Sequence, residues 1–128
     1  MNLAARTLVV LVMVALVPSA AQSRPAAERP CTIKGTPGPD ALLGTPGDDV
    51  ICGFGGDDII SGVFGNDIVR GGPGNDRIEG GPGIDKLYGG PGDDFLNARD
   101  GLADYVNGGP GFDIASREGI DHLVSIEQ

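Results

Sequence analysis

Residues 80–88, GGPGIDKLY, and residues 89–97, GGPGDDFLN, stand end to end and share one nine-residue frame. The frame extends in both directions. Towards the N-terminus it continues through GGPGNDRIE (71–79), GVFGNDIVR (62–70), GFGGDDIIS (53–61), GTPGDDVIC (44–52) and GTPGPDALL (35–43). Towards the C-terminus come ARDGLADYVN (98–107), longer by one residue, and GGPGFDIAS (108–116). A degenerate tenth copy lies in GIDHLV (119–124). The pattern is G-G-x-G-x-D-x-U-x, with U apolar, and nine in-frame copies remove chance as an explanation. Stacked repeats of this kind bury their apolar side chains against their neighbours instead of in a core of their own.

Each position has a physical role. Glycine at positions 1, 2 and 4 permits a tight turn and close backbone approach. Proline at position 3 of six copies (Pro37, Pro46, Pro73, Pro82, Pro91 and Pro110) fixes φ and lowers the entropy lost on folding. The closing x-U-x alternates as a very short strand does, with one side chain inward. The inward set is Leu42, Ile51, Ile60, Val69, Ile78, Leu87, Leu96, Val106 and Ala115. A turn plus a three-residue strand makes half a coil, so two copies, 18 residues, complete one. Alternate copies then lie above one another about 4.8 Å apart. This superimposes Asp40, Asp58, Asp76, Asp94 and Asp113 on one edge, and Asp49, Asp67, Asp85 and Asp104 on the other, with Asp121 extending the second row.

Carboxylates stacked so closely cannot all stay ionised without a cation between them. Hard oxygen ligands in flexible geometry suit Ca²⁺ better than Mg²⁺, which demands a small octahedron. The expected ligands are these position-6 carboxylates, taken from copies n and n+2, with backbone carbonyls of the glycine-rich turns. Nine copies contain seven such pairs, hence up to about seven Ca²⁺. With calcium about tenfold above Kd, each ion contributes on the order of 1.4 kcal/mol, and seven roughly 10 kcal/mol. That is comparable to the whole stability of a small domain, so the repeats are expected to fold as they bind. At position 5, Asp48, Asp57, Asn66, Asn75 and Asp93 are expected to accept weaker bonds or adjust local charge. Pro39, Ile84, Leu102 and Phe112 fill the same slot elsewhere, which argues against a direct ligand role.

Over residues 35–116 the chain resembles the hemolysin-type calcium-binding (RTX nonapeptide) repeat family. The resemblance implies an all-β fold: a parallel β-roll, or right-handed β-solenoid, with ions in rows along the edges. Members of that family commonly carry the repeats beside a protease, lipase or toxin domain exported through a C-terminal signal. Here 128 residues are expected to leave no room for a catalytic domain, so only the calcium-dependent roll carries over.

The N-terminal stretch MNLAARTLVVLVMVALVPSAAQS joins Arg6 to an apolar run, residues 8–17, and then to small residues. It is expected to be a secretory signal peptide, 1–21, giving a secreted, extracellular product with no membrane span after cleavage. Residues 22–34 then form a leader or N-terminal cap, 35–116 the roll, and 117–128 a degenerate repeat and C-terminal cap. Net charge is −9, every acid lies beyond residue 27, and this density of acid opposes nucleic acid and anionic membranes. No tryptophan is present and all 23 glycines lie at or after Gly35, which excludes a thick globular core.

Export favours a disulfide between Cys31 and Cys52 over a metal pair, because one coil of travel brings them near each other; two free thiols are the alternative. His122, the single histidine, is expected on an outward strand face. Ser61, Ser116 and Ser125 lie in no G-x-S-x-G context, so no catalysis is expected. Tyr88, Phe95 and Tyr105 should cover outer strand faces, and Leu123, Val124 and Ile126 should cap the last coil. The reading is a monomeric calcium-binding module, or alternatively a calcium-dependent surface adhesion or interaction module whose partner the sequence does not name.

Overall fold

The turns and x-U-x triplets alternate along the chain as the nine-residue frame dictates. In the computed structural model, which describes residues 25, 29–119 and 121–126, they form eleven short strands among those residues. These are β1 (Ile33–Lys34), β2 (Ala41–Leu43), β3 (Val50–Cys52), β4 (Ile59–Ser61), β5 (Ile68–Arg70), β6 (Arg77–Glu79), β7 (Lys86–Tyr88), β8 (Phe95–Asn97), β9 (Tyr105–Asn107), β10 (Ile114–Ser116) and β11 (His122–Val124). The segment expected to be a signal peptide lies outside the described residues. Among the described residues no helix is long and apolar enough to cross a membrane.

Odd strands form one sheet, in the order β1-β3-β5-β7-β9-β11, and even strands form the other, β2-β4-β6-β8-β10. Every pairing is parallel. Val50 pairs with Ile68 and Ile68 with Lys86, an offset of one 18-residue coil. Across the longer copy the offset becomes 19, with Lys86 opposite Tyr105 and Phe95 opposite Ile114. The extra residue is thus absorbed in the 98–104 turn and the strand register is kept. The roll begins slightly before the first glycine of the repeat, since Ile33 of β1 pairs with Ile51.

The middle residue of each strand points inward, and two rows of apolar side chains meet between the sheets. Ile51, Ile60, Val69, Ile78, Leu87, Leu96 and Val106 are buried, with Leu42 and Ala115 packed against them at the ends of their row. Burying each large side chain is worth about 1.5–3 kcal/mol. Ala98, which replaces glycine at position 1 of the longer copy, joins this cluster.

Both ends are closed. A disulfide links Cys31 to Cys52. By loop-closure entropy it contributes about 3 kcal/mol. At the other end Leu123 and Ile126 pack on the core, whereas Val124 is half-buried outside that cluster. On the outer faces Tyr88, Tyr105 and His122 stack with ring centroids 5.6 and 5.4 Å apart, and the Arg77 guanidinium sits 4.9 Å over the Phe95 ring.

Candidate metal centre

The glycine-rich turns bring position 6 of every copy to the inner side of a coil edge. Asp49, Asp58, Asp67, Asp76, Asp85, Asp94, Asp104 and Asp113 are all buried. Asp40, in the first turn, is half-buried. Successive rungs are joined by one repeated hydrogen bond: the backbone N–H of each aspartate donates to Oδ1 of the aspartate one coil later. Asp40, Asp58, Asp76 and Asp94 donate in this way to Asp58, Asp76, Asp94 and Asp113 along one edge, at 2.7–2.9 Å. Along the other edge Asp49, Asp67 and Asp85 donate to Asp67, Asp85 and Asp104 at 2.8 Å. Asp104 donates to Asp121 at 3.2 Å, so the degenerate tenth copy ends this row. The two rows are those expected from the 18-residue coil.

One oxygen of each carboxylate is thereby used. The other, Oδ2, has no hydrogen-bond partner in Asp58, Asp67, Asp76, Asp85, Asp94 and Asp104, although it is buried. A buried, half-satisfied carboxylate is costly when ionised. Accordingly, burial pushes the Asp85 and Asp94 carboxyls up to about 7, and those of Asp67, Asp76 and Asp104 up to about 6. Asp58 is raised for the same reason. The N–H bond from the preceding rung opposes this shift, and neighbouring carboxylates add to it.

Position 1 needs glycine for a reason connected to the same oxygen. A Cβ on Gly71 would lie 2.7 Å from the carbonyl oxygen of Gly89, one coil on, and closer still to Oδ2 of Asp76. Gly53 and Gly89 repeat this arrangement with Asp58 and Asp94. Each such rung therefore holds a bare carboxylate oxygen and a backbone carbonyl around a space that a side chain would fill. Ala98 is the exception, and its copy is the one lengthened by a residue. There Asp100, in the inserted turn, accepts hydrogen bonds from Gly83 N–H and Leu102 N–H, at 2.7 and 2.8 Å.

Position 5 forms a second ladder that runs the opposite way. Its side-chain Oδ1 accepts from the backbone N–H at position 5 of the next coil: Asp48 from Asn66, Asn66 from Ile84, Asp57 from Asn75, Asn75 from Asp93, and Asp93 from Phe112, all at 2.8–2.9 Å. These side chains tie coil to coil, and the row stops where Ile84 or Phe112 offers no acceptor. The residue two copies after each such Asp or Asn is never proline, so it has an N–H to donate.

Among the described residues no three acidic, histidine or cysteine side chains converge as a metal cluster. The ladder spreads its carboxylates one per copy, so any ion on it depends on backbone oxygens as well. The available donors, bare carboxylate oxygens and glycine carbonyls, are all hard oxygen and fit Ca²⁺ chemistry.

The family model for the RTX calcium-binding nonapeptide repeat (4 copies) matches residues 34–69 and 70–102, more than half of the chain. The chain belongs to this family. Among solved structures, the RTX roll is similar to the AlgE6R3 subunit of the Azotobacter vinelandii mannuronan C5-epimerase, known from a solution structure. The TM-score is 0.51 and the identity 29%, over 61% of this chain and 51% of that one. The RTX roll thus spans about half the length of that chain. No curated protein matches it. Repeat family, β-roll fold and buried aspartate ladder together make this a calcium-binding β-roll.

Proposed function

We propose that this protein is an exported, non-catalytic module whose RTX roll folds around rows of Ca²⁺ held along its two edges. The observation that carries this reading is the unpartnered Oδ2 of the buried Asp58, Asp67, Asp76 and Asp94, each set beside a glycine carbonyl of the next coil. An ion at each rung supplies the charge that burial otherwise opposes, so binding and folding are one process. The signal-like N-terminal segment and the Cys31–Cys52 bridge support export. Calorimetric titration gives the number and affinity of the ions, and circular dichroism in EDTA followed by millimolar calcium tests the coupling. A β spectrum already complete in EDTA defeats the coupling, and a chain that retains no calcium defeats the function.

A second reading, a calcium-dependent docking module, is favoured by the outer face of the odd-strand sheet. Its outward positions carry Lys34, Arg70, Lys86, Tyr88, Tyr105 and His122 and no acidic residue, in a chain of net charge −9. Cations beside tyrosine rings suit a polyanionic glycan, and the similar AlgE6R3 repeat comes from a mannuronan C5-epimerase. Retention on an immobilised polyuronate in calcium but not in EDTA supports docking, and no retention in either removes it.

A further inference from the structure

The first coil differs from those that follow it. At position 2, Phe54 (φ 73°), Val63 (81°), Gly72 (95°), Gly81 (88°), Gly90 (103°) and Gly109 (93°) are all left-handed. Thr36 and Thr45, at the same position of copies 1 and 2, are not. At position 4 the glycines of copies 3 to 7 are left-handed too, whereas Gly38 and Gly47 are not. The first two turns therefore have a backbone conformation of their own.

That conformation brings new donors to the ladder. The Thr45 backbone N–H donates to Asp49 Oδ2 at 2.6 Å and its hydroxyl donates to the same oxygen at 2.9 Å. In the first copy Thr36 N–H and Oγ1 reach Asp40 Oδ2 at 2.5 and 3.0 Å. Each threonine Oγ1 in turn accepts the N–H of Gly38 or Gly47 at 3.2 Å, which locks the turn. These are the oxygens that stay unpartnered in Asp58, Asp67, Asp76 and Asp85. They are also drawn away from the position-1 space. Oδ2 of Asp40 and of Asp49 would lie 2.7 and 3.1 Å from a Cβ at Gly35 and Gly44, and the later aspartates come closer than either.

We propose that the first coil is closed to calcium: Thr36 and Thr45 satisfy the Asp40 and Asp49 carboxylates that an ion would otherwise bridge, and metal binding starts with copy 3. The proposal rests on the calcium-ladder reading and narrows it, because two of the nine position-6 aspartates become part of a metal-free cap. That cap includes the Cys31–Cys52 bridge, so this end of the roll, the first among the described residues, is held by hydrogen bonds and a covalent link.

The test is equilibrium dialysis against ⁴⁵Ca²⁺ of the full chain with its disulfide intact, counting ions per chain at saturation. Asp49→Asn is isosteric and can turn its amide oxygen towards Thr45 N–H, so it should fold and bind as many ions as the unaltered chain. Asp76→Asn, which keeps the oxygen that accepts Asp58 N–H, should bind fewer; Asp94→Asn serves if that variant does not fold. Thr45→Gly, which restores the G-G of later copies and frees Asp49, should bind one more. Loss of an ion from Asp49→Asn overturns the proposal while leaving the calcium ladder intact, and a Thr45→Gly chain that gains none counts against it. An unaltered chain that binds no calcium overturns the ladder reading and this proposal with it.

Discussion

Replacing Gly71 by alanine places one methyl group in the space that a rung keeps between its carboxylate and the next coil. Gly71 is not left-handed, so its backbone accepts an L side chain and the effect is steric. The new Cβ would lie 2.7 Å from the Gly89 carbonyl oxygen, which must retreat about 0.7 Å to reach ordinary 3.4 Å contact, and Asp76 Oδ2 must move further. Neither group is loose. Gly89 O accepts from Gly72 N–H at 2.9 Å, and the Asp76 carboxylate accepts from Asp58 N–H at 2.8 Å. Overpacking of this kind costs about 1–3 kcal/mol. Loss of one ion adds on the order of 1.4 kcal/mol at a tenfold excess of calcium. Together they lower Tm by roughly 10–20 °C for a domain of this size. The matched control is Gly47→Ala. Its Cβ would meet only Thr45 Oγ1, at 3.8 Å, and Gly47 is not left-handed either, so Tm should hold or rise. Calorimetry reads the ion count and circular dichroism melts in millimolar calcium read Tm. A Gly71→Ala chain with the full ion count and an unchanged Tm would refute the argument that position 1 is glycine to keep this space open.

Four further outcomes rest on the same geometry. In EDTA any residual roll should be most stable in acid: the ladder carboxyls have folded-state values of about 6–7 against an ordinary 3.8, so their contribution is full below about pH 4 and is lost as pH rises through 6–7, and circular dichroism in EDTA should show β content that falls over that range. Calcium affinity should run the other way, weakening as those carboxyls take up protons. Leu87→Ala, at a fully buried position in a core only two side chains thick, should cost about 2–5 kcal/mol in calcium-loaded denaturant melts. Asn75→Ala removes the acceptor for Asp93 N–H at an exposed site, and should cost about 0.5–1.5 kcal/mol while the ion count stays the same.

The repeat frame alone determined the strands, the inward row from Leu42 to Ala115, the alternation of edges and the two aspartate rows, because a strict nine-residue period leaves a coil of two copies as its natural closure. The nearness of Cys31 and Cys52 followed from the same coil length. What only the tertiary structure decided is how each oxygen is used. The position-5 side chains proved to be acceptors for backbone N–H groups of the next coil. The threonines of the first two copies turned out to hold carboxylate oxygens whose counterparts are bare in Asp58, Asp67, Asp76 and Asp85. A one-dimensional pattern fixes which residues share an edge. It does not fix whether a given lone pair meets a donor, since that depends on φ at one or two turn residues and on the coil above.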